Sequence, residues 1–328
     1  MKKSYFDKDL MKSLSFYAVE DKTKSWYFLI EIVFILTALE ILIFNIEKLI
    51  FQFFLSVIIG LLFIRFFVIY HDTLHKAIFT TSKFARFLIK FFGILVLNPP
   101  SVWERSHNHH HKNNSKMYAS SVGSFPILSK NQYYSLSKKE QFIYIFTRHP
   151  LNIFFGYFTV FLLGMCLIPF IKSPKKHFDG FFAVLSHFFL SILLIHFNVQ
   201  FFFFGFWFPL FFSSMLGAYL FYVQHNFPAI KLTTNKKWDY FFAALYSTSF
   251  FKMSSIMHWF TGNIGYHHIH HLNAQVPFYN LPKAMNNIPK LQNPITITWS
   301  LKDASECFKL FYFDEEQQKM IYKEKSKL

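Results

Sequence analysis

Cysteine is nearly absent from this chain. Its two cysteines, Cys166 and Cys307, lie far apart, so neither a disulfide framework nor a C-x-x-C site can be built from them. Acidic residues are also scarce, at 18 against 34 Lys and Arg, for a formal net charge of +16. In a soluble protein that excess suggests nucleic acid. Here the cations sit in polar stretches between long apolar runs, as at the cytoplasmic face of a membrane, and no nucleic-acid partner is expected. The first residues, MKKSYFDKDLMKSL, lack a short apolar core followed by a small-residue cleavage site and read as a cytoplasmic tail. No repeat or low-complexity linker marks a second domain, so 1–328 reads as one domain.

What is abundant is apolar and aromatic. Of 328 residues, 53% are hydrophobic and 22% aromatic, with 49 Phe, which points to lipid as the solvent for part of the chain. Residues 26–46 and 49–70 are each long enough for a helix to cross a hydrocarbon core, and the short link Glu47-Lys48 makes them a hairpin. Glu31, Glu40 and Arg65 are unusual at membrane depth. They face the bundle interior or an interface, or, for Glu31 and Arg65, snorkel near helix ends. Residues 84–97 are too short to span and carry Arg86 and Lys90 on one face, which predicts an interfacial helix.

Three apolar runs follow, at 152–171, 180–200 and 203–224. Lys172, Lys175 and Lys176 belong on the cytoplasmic side, so 152–171, with Pro150, Gly156, Gly164 and Pro169 to bend it, should enter and leave on that side. Residues 180–224 contain no Lys or Arg and form a second hairpin, expected to turn near Phe204 to Pro209. The fold class is thus all-α integral membrane: four transmembrane helices in two hairpins, interfacial helices at 84–97 and 152–171, and a cytoplasmic helical cap from 71–150 and 225–328. The tail after Leu301 reads as a solvated amphipathic end.

The 16 histidines are clustered. His71 and His75 stand at i and i+4; His107, His110 and His111 at i, i+3 and i+4; His267, His270 and His271 repeat that pattern. On helices these spacings share one face, so the imidazoles can converge. Imidazole with few acidic ligands suits Fe, Cu, Zn or Ni. Eight or nine ligands exceed what one ion holds and match two ions sharing a site. With no Ser, Cys or carboxylate-pair constellation nearby, such a site beside a membrane fits oxidation of a lipid chain by an oxygen-activating iron pair.

The motifs HDTLH, WERSHNHHH, VQHNF and HWFTGNIGYHHIHHLNAQVPFYNLPKA resemble the histidine boxes of the membrane fatty acid desaturases, in particular the bacterial acyl-lipid type related to the omega-6/delta-12 enzymes. The likeness runs from about Asp21 to Ala284. It implies a non-haem di-iron centre on the cytoplasmic side of a bacterial inner membrane, where O2 and two electrons remove two hydrogens from an unactivated acyl chain. Carried over by motif, the ligands are His71, His75, His107, His110, His111, His267, His270 and His271, and His225 of VQHNF matches an additional family histidine. Thr73 and Leu74 stand where Cys-Gly is frequent in relatives, a departure that touches packing rather than ligation. The substrate is a fatty acyl lipid. With no His-Pro-Gly-Gly signature for a fused haem module, electrons are expected from a separate donor, ferredoxin or a similar carrier, and the Lys-rich stretch 231–237 reads either as its docking surface or as solvated charge.

Asp72, Gln224, Asn226 and Asn263 are candidates to orient imidazole N–H groups or hold a bound water. His109 and His268 lie inside the boxes but off the shared faces. His187 and His196 read as core or channel residues, and His149, His177 and His258 as surface or interface. Gly262 and Gly265 allow close backbone approach beside the third cluster. Two other readings remain open: a hydroxylase or epoxygenase of the same di-iron type, and a membrane metal transporter, whose ligands belong near the midplane of spanning helices.

Overall fold

The computed structural model describes residues 7–116, 123–233 and 238–323. Several helices begin at a side-chain cap. Asp7 opens α1 (Lys8–Ser15) and Asp21 opens α2 (Lys22–Asn45), each side chain accepting from backbone N–H groups of the first turn. Three residues later α3 (Leu49–Leu74) returns antiparallel to α2. At ~1.5 Å per residue its 26 residues reach about 39 Å, more than a hydrocarbon core needs, and His71 lies in its last turn.

The second pair of long helices is α10 (Phe178–Phe197) and the continuous run Val199–His225, which comprises α11 (Val199–Phe201), a π-helical stretch Phe202–Trp207 and α12 (Phe208–His225). Among the described residues, these two and α2 and α3 are the four single helices long and apolar enough to cross a membrane, and the bent pair Lys83–Leu95 and Pro100–Asn113 passes the same test only if taken as one broken span. The hairpin turns at Asn198, earlier than the Phe204 to Pro209 expected from sequence. Asn198 is extended (φ −162°) and its side chain caps the returning helix. Gly205 and Pro209 instead lie within the helix, where π winding accommodates a proline that has no N–H to give. Outward faces carry Ile30, Phe34, Ile41, Phe188, Phe189 and Ile192 exposed, the surface that lipid covers. α12 packs closely on α3 because Gly60 has no side chain: a Cβ there would lie 2.8 Å from the Phe212 ring.

Between the two pairs lie α4 (Lys83–Leu95) and α5 (Pro100–Asn113), which meet at a 91° bend. α6 (Lys130–Ser135) and α7 (Lys138–Arg148) each open on a capping box, Ser129 with Gln132 and Ser137 with Glu140. α8 (Pro150–Phe154), a π-helical run Tyr157–Leu167 and α9 (Ile168–Lys172) fill the stretch before α10. The run from Tyr157 to Lys172 is shorter than the spans. It lies against α10, with Tyr157 Oη 3.3 Å from His187 Nδ1, and Cys166 Sγ donates to the Leu97 carbonyl.

Arg65 is buried in the bundle interior rather than snorkelling. Its guanidinium bonds Glu31 (3.0 Å) and the Trp259 carbonyl (2.6 Å) and lies over the Trp259 ring. Glu40 also faces inward, against Gly205.

The remainder caps the bundle: α13 (Tyr240–Tyr246), α14 (Ser255–Phe260), α15 (His267–Leu272), α16 (Leu281–Asn287) and α17 (Leu301–Lys309). Two small sheets accompany them. β1 (Phe250–Lys252) pairs parallel with β2 (Thr296–Thr298), and β3 (Leu310–Asp314) antiparallel with β4 (Lys319–Tyr322). The segment after Leu301 therefore differs from a solvated tail. Cys307, Leu310, Tyr312 and Phe313 are buried, and Tyr312 packs on Tyr133 of α6. Of the Lys-rich stretch 231–237, residues 234–237 lie outside the described residues.

Candidate metal centre

Four elements bring the histidines together. α3 carries His71 in its last turn with His75 as its C-cap, α5 presents His107, His110 and His111 on one face, α12 ends on His225, and α15 carries His267, His270 and His271. The turn before α15 is tight. Gly262 and Asn263 are both left-handed (φ +52° and +57°), and a Cβ on Gly262 would lie 2.9 Å from Val68 of α3. That close approach presses the third box against the first.

All nine histidines converge, in two adjoining groups of possible metal ligands: His71, His75, His107, His111 and His270, and His110, His225, His267 and His271. In the first, Nε2 of His107 lies 3.0 Å from that of His71 and 3.0 Å from that of His111, which lies 3.0 Å from that of His270. In the second, Nε2 of His225 lies 3.1 Å from His110 and 2.8 Å from His267, and His271 is 3.2 Å from His267. The groups touch where the His111 and His271 rings stack at 4.2 Å.

These spacings suit a shared cation better than hydrogen bonds. A ring nitrogen has one proton or one lone pair in the ring plane, yet Nε2 of His107, His111, His225 and His267 each faces two others. Two nitrogens about 2.1 Å from one ion at right angles are ~3.0 Å apart. His75 Nε2 is buried without a hydrogen-bond partner, as a free ligand atom would be. Burial, reinforced by neighbouring imidazoles, holds His75, His107, His111, His267, His270 and His271 well below the ordinary histidine range and brings His110 down to about 3. The rings are therefore neutral, with lone pairs available.

Asp72 is the expected partner that does touch a ligand. Its Oδ1 lies 2.9 Å from His71 Nδ1 while Oδ2 accepts from the Phe278 N–H, so His71 Nε2 is left to face the centre. Among the described residues, the side chains of Gln224, Asn226 and Asn263 hydrogen-bond no imidazole and bond backbone carbonyls instead. Gln224 donates to the Ile264 carbonyl and Asn263 to that of Phe278. Asn226, next to His225, accepts from Arg148 and donates to the Cys307 carbonyl.

The other histidines stand apart from both groups. His268 is fully buried but turned away, and His109 is half-buried on the outer side of α5. His177 is buried against Ser101, His187 bonds the Leu95 carbonyl, His258 accepts from the Met253 N–H, and His149 caps α8. His196 is exposed near the end of α10 instead of lining a core. Sequence reading missed Trp103, whose ring centroid is 3.6 Å from that of His107. Its position one turn before His107 was the available signal. Arg148, isolated in sequence, gave none.

Four potential spans and a bipartite histidine cluster able to hold metal fit an integral membrane protein. The fatty acid desaturase family model matches residues 49–298, a range containing all nine histidines. A fatty acid desaturase of Bacillus subtilis (strain 168) is 31% identical over 276 residues, covering 80% of this chain and 75% of the relative. The chain belongs to the fatty acid desaturase family, which makes it an oxidoreductase.

Proposed function

We propose that the protein is an O2-dependent fatty acyl desaturase that inserts a double bond into a lipid-linked acyl chain at a di-iron centre. The observation that carries the reading is the division of nine imidazoles, eight buried and that of His75 half-buried, into adjoining groups of five and four, with no carboxylate in either group among the described residues. Two iron ions held there would supply oxygen activation for the two-electron oxidation of an unactivated chain. The balance is one CH2–CH2 unit, O2, two electrons and two protons giving a CH=CH unit and two waters. The electrons come from a separate carrier, ferredoxin or similar.

The residues' part is geometric. His71, fixed by Asp72, and His107, packed under Trp103, are held in one orientation each. Burial of the cluster keeps the rings unprotonated and bulk water away. In the proposed topology the chain is a single domain in a bacterial inner membrane, with its termini and 71–150 and 225–328 on the cytoplasmic side. The ligands sit at helix ends, His225 being the last residue of α12, where a transporter would place them at midplane.

Expression in a host of defined lipid composition tests this, with mass spectrometry of the lipids and iron measured on the purified protein. Two irons per chain and a new acyl double bond are expected. A hydroxylated product would move the protein to the hydroxylases, and unchanged lipids beside altered metal uptake would sink the reading.

A further inference from the structure

Beside the first histidine box, α4 has three distinct faces. Ala85, Ile89 and Phe92 are buried against the bundle. Phe84, Phe87 and Phe91 are exposed, at 65%, 67% and 49%. Lys83, Arg86 and Lys90, at i, i+3 and i+7, form the third face. That face and Lys76, just past the end of α3, line a groove of about 460 Å³ together with Phe87 and Glu104. Glu104 pairs with Lys90 at 3.3 Å. Lys76, Lys83 and Arg86 have no acidic partner among the described residues, so the groove keeps a surplus of three positive charges.

We propose that this groove binds the phosphodiester headgroup of an anionic phospholipid. Charge complementarity names the anion, and the exposed phenylalanines name its source. A phosphate bound here lies next to an apolar strip that only acyl chains or membrane interior would cover, which favours a lipid over an acidic soluble protein. A singly anionic headgroup matches the groove better than a zwitterionic one, whose ammonium would meet the same cations. The groove wall includes Thr73 and Leu74, between His71 and His75, so a lipid anchored there presents its chains beside the candidate metal centre. In that last respect the inference rests on the desaturase reading; the binding itself does not.

The test is native mass spectrometry of the delipidated full-length protein with dioleoylphosphatidylglycerol, dioleoylphosphatidylcholine or inorganic phosphate. The wild type should retain phosphatidylglycerol over phosphatidylcholine. K76Q/K83Q/R86Q should bind phosphatidylglycerol at least about tenfold more weakly, since each cation near an anionic surface contributes roughly fivefold, with bound metal unchanged. K138Q/K139Q, exposed on α7, should match the wild type. In vesicles with an electron donor, the triple variant should raise KM for the anionic lipid while kcat holds. Equal retention of both lipids, wild-type binding by the triple variant, or phosphate binding as tight as lipid binding would overturn the proposal. So would a rise in KM for the donor alone, which would assign the groove to an acidic protein. Lipid binding without desaturation leaves the groove standing and removes the enzyme reading.

Discussion

At the scale of the residue, each candidate ligand can be separated from a neighbour that only looks like one. His71→Ala, His107→Ala or His270→Ala should lower bound iron and reduce desaturation at least about 100-fold, while exposed His196→Ala should leave both unchanged, as metal analysis and lipid profiling will show. The convergence of eight of the nine candidate ligands was legible because helical spacing puts them on shared faces whatever their partners, and His225 came from the family resemblance alone. Partners in three dimensions were not legible: Asn226 looked like a support for an imidazole, and its amide is taken by Arg148 and Cys307. A pH prediction follows from the buried rings. Their folded values lie below the ordinary 6.5, with His110 at about 3, so as pH falls below 6.5 the unfolded chain takes up protons that the folded one refuses. Stability of the metal-free protein is therefore fully present above about pH 6.5 and declines toward pH 3. Thermal unfolding of the apoprotein at pH 7.5 and 5.5 checks it, with the lower melting temperature expected at pH 5.5.

At the scale of the element, the apolar runs announced the spans, since length and hydropathy decide them. The turn at Asn198 escaped because a helix in lipid can absorb Gly205 and Pro209, residues that end helices in water. The C-terminal hairpin escaped for a different reason: its alternation is weak, and it gains stability from α6 and α7 rather than from its own pattern. Arg148 at the end of α7 ties these pieces together. Its guanidinium donates to the Pro126 and Leu310 carbonyls and to Asn226, the neighbour of His225. Arg148→Ala leaves those buried acceptors unpaired and should cost about 3 kcal/mol. The expected readout is a lowered melting temperature with loss of metal from the four-histidine group ahead of the five, followed by metal titration.

At the scale of the whole molecule, orientation is the property left to measure. Cys166 and Cys307 are both fully buried, so an introduced cysteine reports with little background. In intact cells, Asn198→Cys should react with an impermeant maleimide, whereas Lys138→Cys should react only after lysis. The reverse pattern would invert the proposed topology.

The division of the ligands also constrains biogenesis. The five-histidine group draws on α3, α5 and α15 and the four-histidine group on α5, α12 and α15, so neither is complete until the last box has left the ribosome and docked. On the proposed reading, a half-made chain would hold neither metal, and the nascent protein would be spared reactive chemistry until both hairpins are in place.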